Sequence, residues 1–400
     1  MHAIAVAVPV FVLGTAVSLA ASWVLVSRLE RFGERFGLSD ALLGLVAALA
    51  ADSPEITSSV SAVLGHQRSI GAGVVLGSNL FNLAALLGLA SLIAGTIVLH
   101  RRVVVFAGAV SLLVALACEL AVTGLLPVLA ATLAVLGVLA AYGVALGLDV
   151  GGLQRLRLPA SWCTWLCLAV GEEDQEARAA LPPPGNRTDA AVAGGALVVV
   201  VAASVAMERS ASALGNRFEV PGIVVGGLVL AAVTSLPNAV AAIYLARRGR
   251  GAAVLSTALN SNAINVAFGL LVPGAILGLG AVSSSGTLVA TWYVALTLVA
   301  LALVYAQRAL ARAGGSAIIL GYLAFVLSLL GVSAAPPSVP LELVPIAPAA
   351  IALALAAPAG RNRRSALRTG SPPPRPAPGA AELPPPGTPG SSDRLGAGEG

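Results

Sequence analysis

Two short polar motifs recur in this chain within segments that are otherwise apolar. Residues 52–55 read Asp-Ser-Pro-Glu, and residues 77–82 read Gly-Ser-Asn-Leu-Phe-Asn. In the second half, residues 235–238 read Ser-Leu-Pro-Asn, and residues 260–265 read Asn-Ser-Asn-Ala-Ile-Asn. One offset of 183 residues superposes both motifs of the first half on those of the second. A duplicated polar motif at prolines within apolar segments is typical of a transporter built from two repeats.

The polar side chains of both motifs carry oxygen atoms that can bind a cation. Asp52 and Glu55 are three residues apart, so a helix places both carboxylates on one face. Pro54 and Pro237 each remove a backbone donor, which predicts a helix break with free carbonyl oxygens nearby. Oxygen ligands without paired His or Cys select hard cations such as Ca²⁺ or Na⁺, with Asp52 and Glu55 as the anionic ligands. The predicted cation site comprises Asp52, Glu55, Ser78, Asn79, Asn82, Thr234, Ser235, Asn238, Ser261, Asn262 and Asn265.

A structural interpretation competes with this one for the neutral residues. A single Ser, Thr or Asn in a membrane helix more often stabilises packing than binds a substrate. A carboxylate near the middle of a membrane is costly, so Glu55 is better explained by function. Close packing between helices is predicted at Gly44, Gly73, Gly77 and Gly227.

The composition of the chain is that of a membrane protein. Hydrophobic residues make up 58% of the 400 residues and charged residues only 10%, against about 25% charged residues in soluble domains. Apolar runs of about 20 residues match the thickness of a hydrocarbon core. The predicted spans are 3–27, 38–64, 69–97, 102–122, 125–147, 189–209, 221–246, 251–280, 286–307, 315–334 and 340–358.

These spans predict an all-α polytopic membrane protein with two five-helix repeats and one extra C-terminal span. The predicted organisation is a first repeat at 1–150, a cytoplasmic linker at 151–188, a second repeat at 189–335, the extra helix at 340–358, and a disordered Pro/Gly-rich tail at 360–400. Pro, Gly and Ser without an apolar period cannot bury a core, which is the reason for predicting a disordered tail.

The distribution of arginine predicts the orientation of the spans. All 23 basic residues are Arg. With the N-terminus outside, the inner loops hold 14 Arg, the outer loops hold 3, and the remaining 6 follow the last span. Cytoplasmic loops carry the excess of basic residues. Because each half has an odd number of spans, the second half enters the membrane with opposite polarity, and the repeats are predicted to be inverted.

The double motif resembles the α-repeats of the sodium/calcium exchanger family, in the calcium/cation antiporter superfamily. The family pattern is roughly Ser-Leu-Pro-Glu, followed further along by Gly-Ser-Asn-x-x-Asn. Residues 53–55 and 77–82 match it in the first half, and residues 234–237 and 260–265 match it in the second. The resemblance implies ten core helices in inverted repeats and a central site that exchanges Ca²⁺ for Na⁺ or H⁺. It implies cation ligands at Glu55, Ser78, Asn82, Thr234, Ser235, Ser261 and Asn265.

The acidic residues of this chain depart from the family pattern. The family places a Glu after the proline of each repeat, whereas the second repeat here has Asn238. Asp52, about one turn from Glu55, is an additional carboxylate in the first repeat. We hypothesise that Asp52 replaces the charge absent at Asn238, so that the site keeps the two anionic ligands that favour Ca²⁺.

The function predicted from the sequence is secondary active cation antiport, with calcium exchanged for sodium or protons by alternating access. The expected partners are inorganic cations and the lipid bilayer of the plasma membrane, and no nucleic acid is expected. No cofactor is expected beyond the transported cations, and the sequence assigns no oligomeric state. Proton-coupled or monovalent cation exchange remains an alternative, favoured by Asn238, as does a non-transporting membrane scaffold. An enzyme is not predicted, because the spans contain no nucleophile–base pair, His cluster or phosphate-binding glycine motif.

The arginine asymmetry predicts that the C-terminal tail lies inside the cell. A reporter that is active only in the cytoplasm, fused after residue 360, should be active because the last predicted span then ends inside. A reporter that is expressed at normal levels but remains silent would show that 340–358 does not span or that the orientation is reversed.

Overall fold

The computed structural model describes residues 2–34, 48–98, 101–147, 159–178, 186–249, 251–307 and 309–334. Helices make up nearly all of these residues. The first half contains α1 (His2–Glu34), α2 (Ser53–Leu64), α3 (Arg68–Asn82), α4 (Ala90–Ala94), α5 (Arg101–Val122) and α6 (Val128–Gly147). Between the halves lies α7 (Ala160–Arg178). The second half contains α8 (Arg187–Arg217), α9 (Gly222–Val224), α10 (Ala231–Thr234), α11 (Leu236–Arg247), α12 (Gly251–Ile264), α13 (Val272–Leu277), α14 (Ser284–Gln307) and α15 (Arg312–Ala334).

Three π-helical segments join shorter α-helices into longer ones. Leu83–Leu89 connects α3 to α4, Val225–Leu230 connects α9 to α10, and Asn265–Leu271 connects α12 to α13. The first and third lie at nearly equivalent positions of the two halves, immediately after or at the last asparagine of each polar motif. Such widened turns are frequent at functional sites because they disturb the regular helix ladder.

The described residues contain eight helices that are long and apolar enough to cross a membrane, and a bent helix pair that would be a ninth. The bent pair is Gly222–Thr234 with Leu236–Arg247, which meet at 46°. Large apolar side chains such as Trp23 and Leu327 are more than 70% exposed, as expected for helices that contact lipid. The prediction of an all-α polytopic membrane protein is confirmed.

Several predicted segments fall wholly or partly outside the described residues. These are the first part of the predicted span 38–64, both ends of the predicted linker 151–188 (up to 158 and at 179–185), the extra span 340–358 and the tail 360–400. The other predicted spans coincide with helices to within a few residues, except that α1 extends to Glu34, beyond the predicted end at 27, and α8 extends to Arg217, beyond the predicted end at 209.

Two features of the fold were not predicted. The segment predicted as a polar linker contains α7, whose Trp165 ring packs edge-on against Phe106 of α5 at 6.3 Å between centroids. Two short strands, β1 (Ile97–Val98) and β2 (Ala309–Leu310), form an antiparallel pair between the halves.

Glycines allow the helices around the polar motifs to approach closely. A Cβ atom on Gly77 would lie 2.2 Å from the carbonyl oxygen of Gly227, and one on Gly226 would lie 2.2 Å from that of Ile70. A Cβ on Gly73 would meet the Gly227 nitrogen at 2.8 Å. Small residues permit backbone contact of this kind in membranes, where helices gain little from burying apolar surface. The predicted packing role is confirmed for these positions, whereas Gly44 lies outside the described residues.

The long helices α1 and α8 pack along one another and are joined by polar contacts. Arg28 Nη1 lies 2.8 Å from Asp189 Oδ1, and the hydroxyls of Ser18 and Ser204 are 2.8 Å apart. Asp189 also completes a capping box with Asn186, the residue before α8. Both partners of the capping box satisfy backbone donors at the helix start, so the ion pair is attached to a well-defined helix terminus.

Candidate cation site

Both prolines of the motifs coincide with a break in the helix. Asp52, directly before α2, has φ −82° and ψ −1°, and Ser235, between α10 and α11, has φ −84° and ψ 0°. These two residues are separated by the repeat offset of 183. The Ser53 hydroxyl donates to the carbonyl oxygen of Ala50 at 2.7 Å, so the carbonyl freed by Pro54 is already occupied.

All eleven predicted site residues are buried, each with 2% exposure or less. Buried polar groups need partners, because their transfer out of water without hydrogen bonds is costly. The partners of these side chains come largely from the opposite half of the chain, which brings the two motifs into one connected network.

Asp52 bonds with the second half through one of its two carboxylate oxygens. Its Oδ1 accepts hydrogen bonds from Asn238 Nδ2 at 2.8 Å and from the Ser261 hydroxyl at 2.6 Å. Ser261 Oγ in turn accepts from Asn82 Nδ2 at 3.1 Å. The carboxylate therefore lies directly beside Asn238, the position at which the family pattern has Glu.

The contact of Glu55 with the second half is the repeat-related equivalent of the contact between Asp52 and Asn238. Its Oε1 accepts a hydrogen bond from the Ser235 hydroxyl at 3.0 Å. Ser235 is equivalent to Asp52 by the repeat offset, and Asn238 is equivalent to Glu55. The two contacts thus exchange equivalent positions between the halves, as a local two-fold relation requires.

The asparagines exchange contacts in the same way. Asn79 Nδ2 donates to the Asn262 carbonyl oxygen at 3.0 Å, and Asn262 Nδ2 donates to the Asn79 carbonyl oxygen at 3.1 Å. Asn82 Nδ2 donates to Asn262 Oδ1 at 3.1 Å, and Asn265 Nδ2 donates to Asn79 Oδ1 at 3.4 Å. Both pairs obey the 183-residue offset. The amides therefore join α3 to α12 and its π-helical continuation.

Two predicted residues make only local hydrogen bonds within the described chain. The Ser78 hydroxyl donates to the Val75 carbonyl oxygen at 3.0 Å, and the Thr234 hydroxyl donates to that of Leu230 at 3.0 Å. Such back-bonding within a helix is common for Ser and Thr in membrane segments. Ser78 differs in this from its equivalent Ser261, because the carboxylate of Asp52 gives Ser261 a stronger acceptor.

Four oxygen atoms of the network have no hydrogen-bond partner among the described residues. They are Asp52 Oδ2, Glu55 Oε2, Asn82 Oδ1 and Asn265 Oδ1. Two belong to carboxylates, and the other two belong to asparagines related by the repeat offset. Carboxylate and amide oxygens are the ligand types that Ca²⁺ and Na⁺ prefer, so the chemistry of these atoms fits a hard cation.

The structure adds two serines that the sequence interpretation did not select. Ser58, one turn after Glu55, is fully buried, and its hydroxyl has no partner within the described chain. The Ser59 hydroxyl lies within hydrogen-bond distance of two carbonyl oxygens, of Gly71 at 2.9 Å and of Gly269 at 2.8 Å, and its single proton is shared between them. Helical spacing from Glu55 was a usable signal for Ser58, whereas the bridging role of Ser59 depends on elements 210 residues apart.

The different contacts of the equivalent residues Ser261 and Ser78 predict different energetic roles. Ser261→Ala removes a donor to a buried carboxylate and should lower the free energy of unfolding by about 1.5–3 kcal/mol. Ser78→Ala removes only a back-bond within its own helix and should cost less than about 1 kcal/mol. Thermal unfolding of both purified variants in detergent measures the difference. Equal losses would contradict the assigned contacts.

The chain matches the model of the sodium/calcium exchanger protein family over residues 6–150 and 190–331. These two segments include both polar motifs and every residue of the network described above. A provisionally named antiporter, CaxA of Alkalimonas amylolytica, is 38% identical over 84 residues, which are 21% of this chain and 26% of that protein. The aligned part therefore spans about a quarter of that relative's length.

Two solved structures share the fold. The crystal structure of the H⁺/Ca²⁺ exchanger CAX is similar with a TM-score of 0.62 at 15% identity, covering 91% of this chain and 90% of that one. The sodium-calcium exchanger NCX_Mj, soaked with 2.5 mM Na⁺ and 0.1 mM Ca²⁺, is similar with a TM-score of 0.50 at 20% identity, covering 81% and 98%. Because the family model matches well over half of its residues, this chain belongs to the sodium/calcium exchanger family, a family of membrane transporters and not of enzymes.

Proposed function

We propose that this protein is a secondary active cation antiporter that exchanges Ca²⁺ for Na⁺ or H⁺ by alternating access. The observation that carries the proposal is the set of four buried oxygen atoms without hydrogen-bond partners, two of them on the carboxylates of Asp52 and Glu55. No basic side chain forms an ion pair with either carboxylate in the described part of the chain. A bound cation supplies the missing positive charge and the missing ligands together.

The ligands fall into two groups according to their contacts. We assign direct coordination to the free oxygens of Asp52, Glu55, Asn82 and Asn265. Ser78, Asn79, Thr234, Ser235, Asn238, Ser261 and Asn262 complete the site, either as further oxygen ligands or by holding the ligands in place. A Ser or Thr hydroxyl that donates to a carbonyl still has lone pairs for a cation, so Ser78 and Thr234 remain in the assignment.

The repeats are inverted in this proposal, with five spans each and the site between them. The exchange of contacts between equivalent positions, such as Asp52 with Asn238 and Ser235 with Glu55, supports a two-fold relation between the halves. The arginine distribution supports opposite polarity in the membrane. Broken helices at the interface of inverted repeats allow one half to rock against the other around a fixed site. We assign the protein to the plasma membrane, with its C-terminal tail inside.

A second candidate function is proton-coupled or monovalent cation exchange, favoured by a specific contact. Residue 238 is Asn and donates its amide to Asp52. Among the assigned ligands, the second half therefore contributes no carboxylate. Cations and protons compete for the same carboxylate oxygens. Because both carboxylates lie in one half and close together, binding of a cation there would release a proton from the same two groups.

Ion flux in inverted membrane vesicles tests the proposed function. Vesicles containing the protein should take up Ca²⁺ when an opposing Na⁺ or H⁺ gradient is applied, and each gradient is varied separately with the others held at zero. Glu55→Gln vesicles at matched expression are the control and should not transport, because half of the buried charge is lost. Gradient-driven Na⁺ or K⁺ flux without Ca²⁺ flux would support the second candidate, and no flux of any cation would contradict antiport.

The contact between Asp52 and Asn238 predicts a charge exchange across the two halves. Asp52→Asn should weaken Ca²⁺ transport at least about tenfold, since it removes one of two anionic ligands. Adding Asn238→Glu should restore part of that loss, because the new carboxylate would lie where Asp52 now contacts residue 238. The apparent affinity for Ca²⁺ in the same flux assay measures both changes. If Asp52→Asn leaves Ca²⁺ flux unchanged, Asp52 is not a ligand.

A further inference from the structure

A cavity of about 670 Å³ lies between α2 and α8, separate from the network of the candidate site. Its lining residues include Ile56, Thr57, Ser61, Gln67, Glu208 and Ser212. The walls are mostly apolar, and four of the polar side chains form two hydrogen-bonded pairs. Ser61 donates to Glu208, and Ser212 donates to Gln67. The cavity therefore combines a nonpolar wall with a small number of fixed oxygen atoms, as in ligand sites.

Glu208 gives this cavity a buried carboxyl group. The residue is only 3% exposed, and its Oε2 accepts the Ser61 hydroxyl at 2.8 Å. Arg209 also lines the cavity but is exposed. Within the described residues, Arg209 forms no direct ion pair with Glu208, although its positive charge acts on that carboxylate from a greater distance. A buried carboxylate with one hydrogen bond and no ion pair has the capacity to bind a cation.

The cavity reaches the helix that carries the candidate site. Ile56 and Thr57 directly follow Glu55 in α2, and Ser61 follows it by six residues, a rise of about 9 Å along a helix. Ser61 and Glu208 lie toward the ends of α2 and α8 that the arginine distribution assigns to the outside. The cavity is thus located between the predicted outer surface and the buried carboxylates.

The positions related to Glu208 and Ser61 by the repeat offset do not form an equivalent pair. The repeat offset relates Glu208 to Leu25 and Ser61 to Tyr244. Leu25 is buried, and Tyr244 packs its ring against the Arg248 guanidinium. The pair of Glu208 and Ser61 is therefore not a consequence of the duplication, because the equivalent positions 25 and 244 hold no carboxylate.

From these observations we propose that Glu208 and Ser61 form a second cation site, a station that concentrates hydrated Ca²⁺ on the outer side before or after its exchange at Asp52 and Glu55. Charge in a cavity with low-dielectric walls focuses the field and raises the local cation concentration. The transport role of this station rests on the proposed function. The preference of the cavity for cations does not, and it can be tested in a protein that does not transport.

The first experiment measures the charge of the cavity without requiring transport. Thr57→Cys is introduced in a chain in which Cys118, Cys163 and Cys167 are replaced by Ser or Ala and in which Asp52→Asn and Glu55→Gln neutralise the candidate site. The rates of modification by a cationic and an anionic thiol reagent of similar size are compared. Glu208→Gln should lower the cationic-to-anionic rate ratio about tenfold. The matched control is Glu219→Gln, an exposed acidic residue just beyond α8, which should leave the ratio unchanged.

A second labelling position guards against a variant that folds poorly. Asn216→Cys also lies on the cavity lining and should report the same dependence on Glu208. Millimolar Ca²⁺ should slow modification at these positions when Glu208 is present and should have no effect after Glu208→Gln. A ratio that does not depend on Glu208 at either position would overturn the proposal.

The second experiment tests the transport role in an otherwise native chain. Glu208→Gln should raise the KM for external Ca²⁺ about tenfold with little change in the maximal rate, because it lowers the local cation concentration and leaves Asp52 and Glu55 intact. Glu219→Gln should change neither value. If the cavity depends on Glu208 in the labelling experiment but the protein transports no cation, the second cation site stands and the proposed function is wrong. Normal Ca²⁺ transport with an unchanged KM would overturn the station.

Discussion

The organisation of this protein depends on the burial of two carboxylates without a basic partner. Asp52 and Glu55 are completely buried, and the one ion pair found in the described residues joins Arg28 and Asp189 instead. Burying a charge is costly unless hydrogen bonds or an opposite charge compensate it. Neutral donors from the second half contact one oxygen of each carboxylate and leave the other oxygen free. The result is a buried pair of acidic groups with two oxygen atoms open to a further ligand, and the proposed cation transport depends on this arrangement.

The surrounding architecture brings those donors within hydrogen-bond distance. Glycines at the contact of α3 with the segment 225–230 let two backbones touch, and the side chains at the helix breaks, Asp52 and Ser235, each bond to the opposite half. The asparagines then exchange hydrogen bonds between equivalent positions of the halves. Such a network is satisfied only when both halves are docked, so the site and the packing of the repeats stabilise one another.

The duplicated residues and the charged residues follow different rules. Amide and hydroxyl groups recur in both halves, whereas each carboxylate discussed here has a neutral equivalent: Ser235 for Asp52, Asn238 for Glu55 and Leu25 for Glu208. In the proposed alternating-access cycle, equivalent polar positions combined with one-sided charge would give the outward-open and inward-open states similar packing but different affinities for a cation. Differential affinity between states is the quantity that determines the direction of a conformational equilibrium.

The sequence by itself determined the membrane class, most spans, the break at each proline and the residues that exchange hydrogen bonds between the two motifs, because hydrophobic periodicity, proline chemistry and an internal repeat can all be read from the order of the residues. It also led to the hypothesis that Asp52 replaces the charge absent at Asn238, and these two residues are in contact at 2.8 Å. The different partners of Ser78 and Ser261, the bridging hydroxyl of Ser59, helix α7 in the predicted linker and the cavity at Glu208 were decided only by the tertiary structure. Each depends on contacts between elements that are far apart in the chain. A local sequence pattern does not specify which distant elements come into contact.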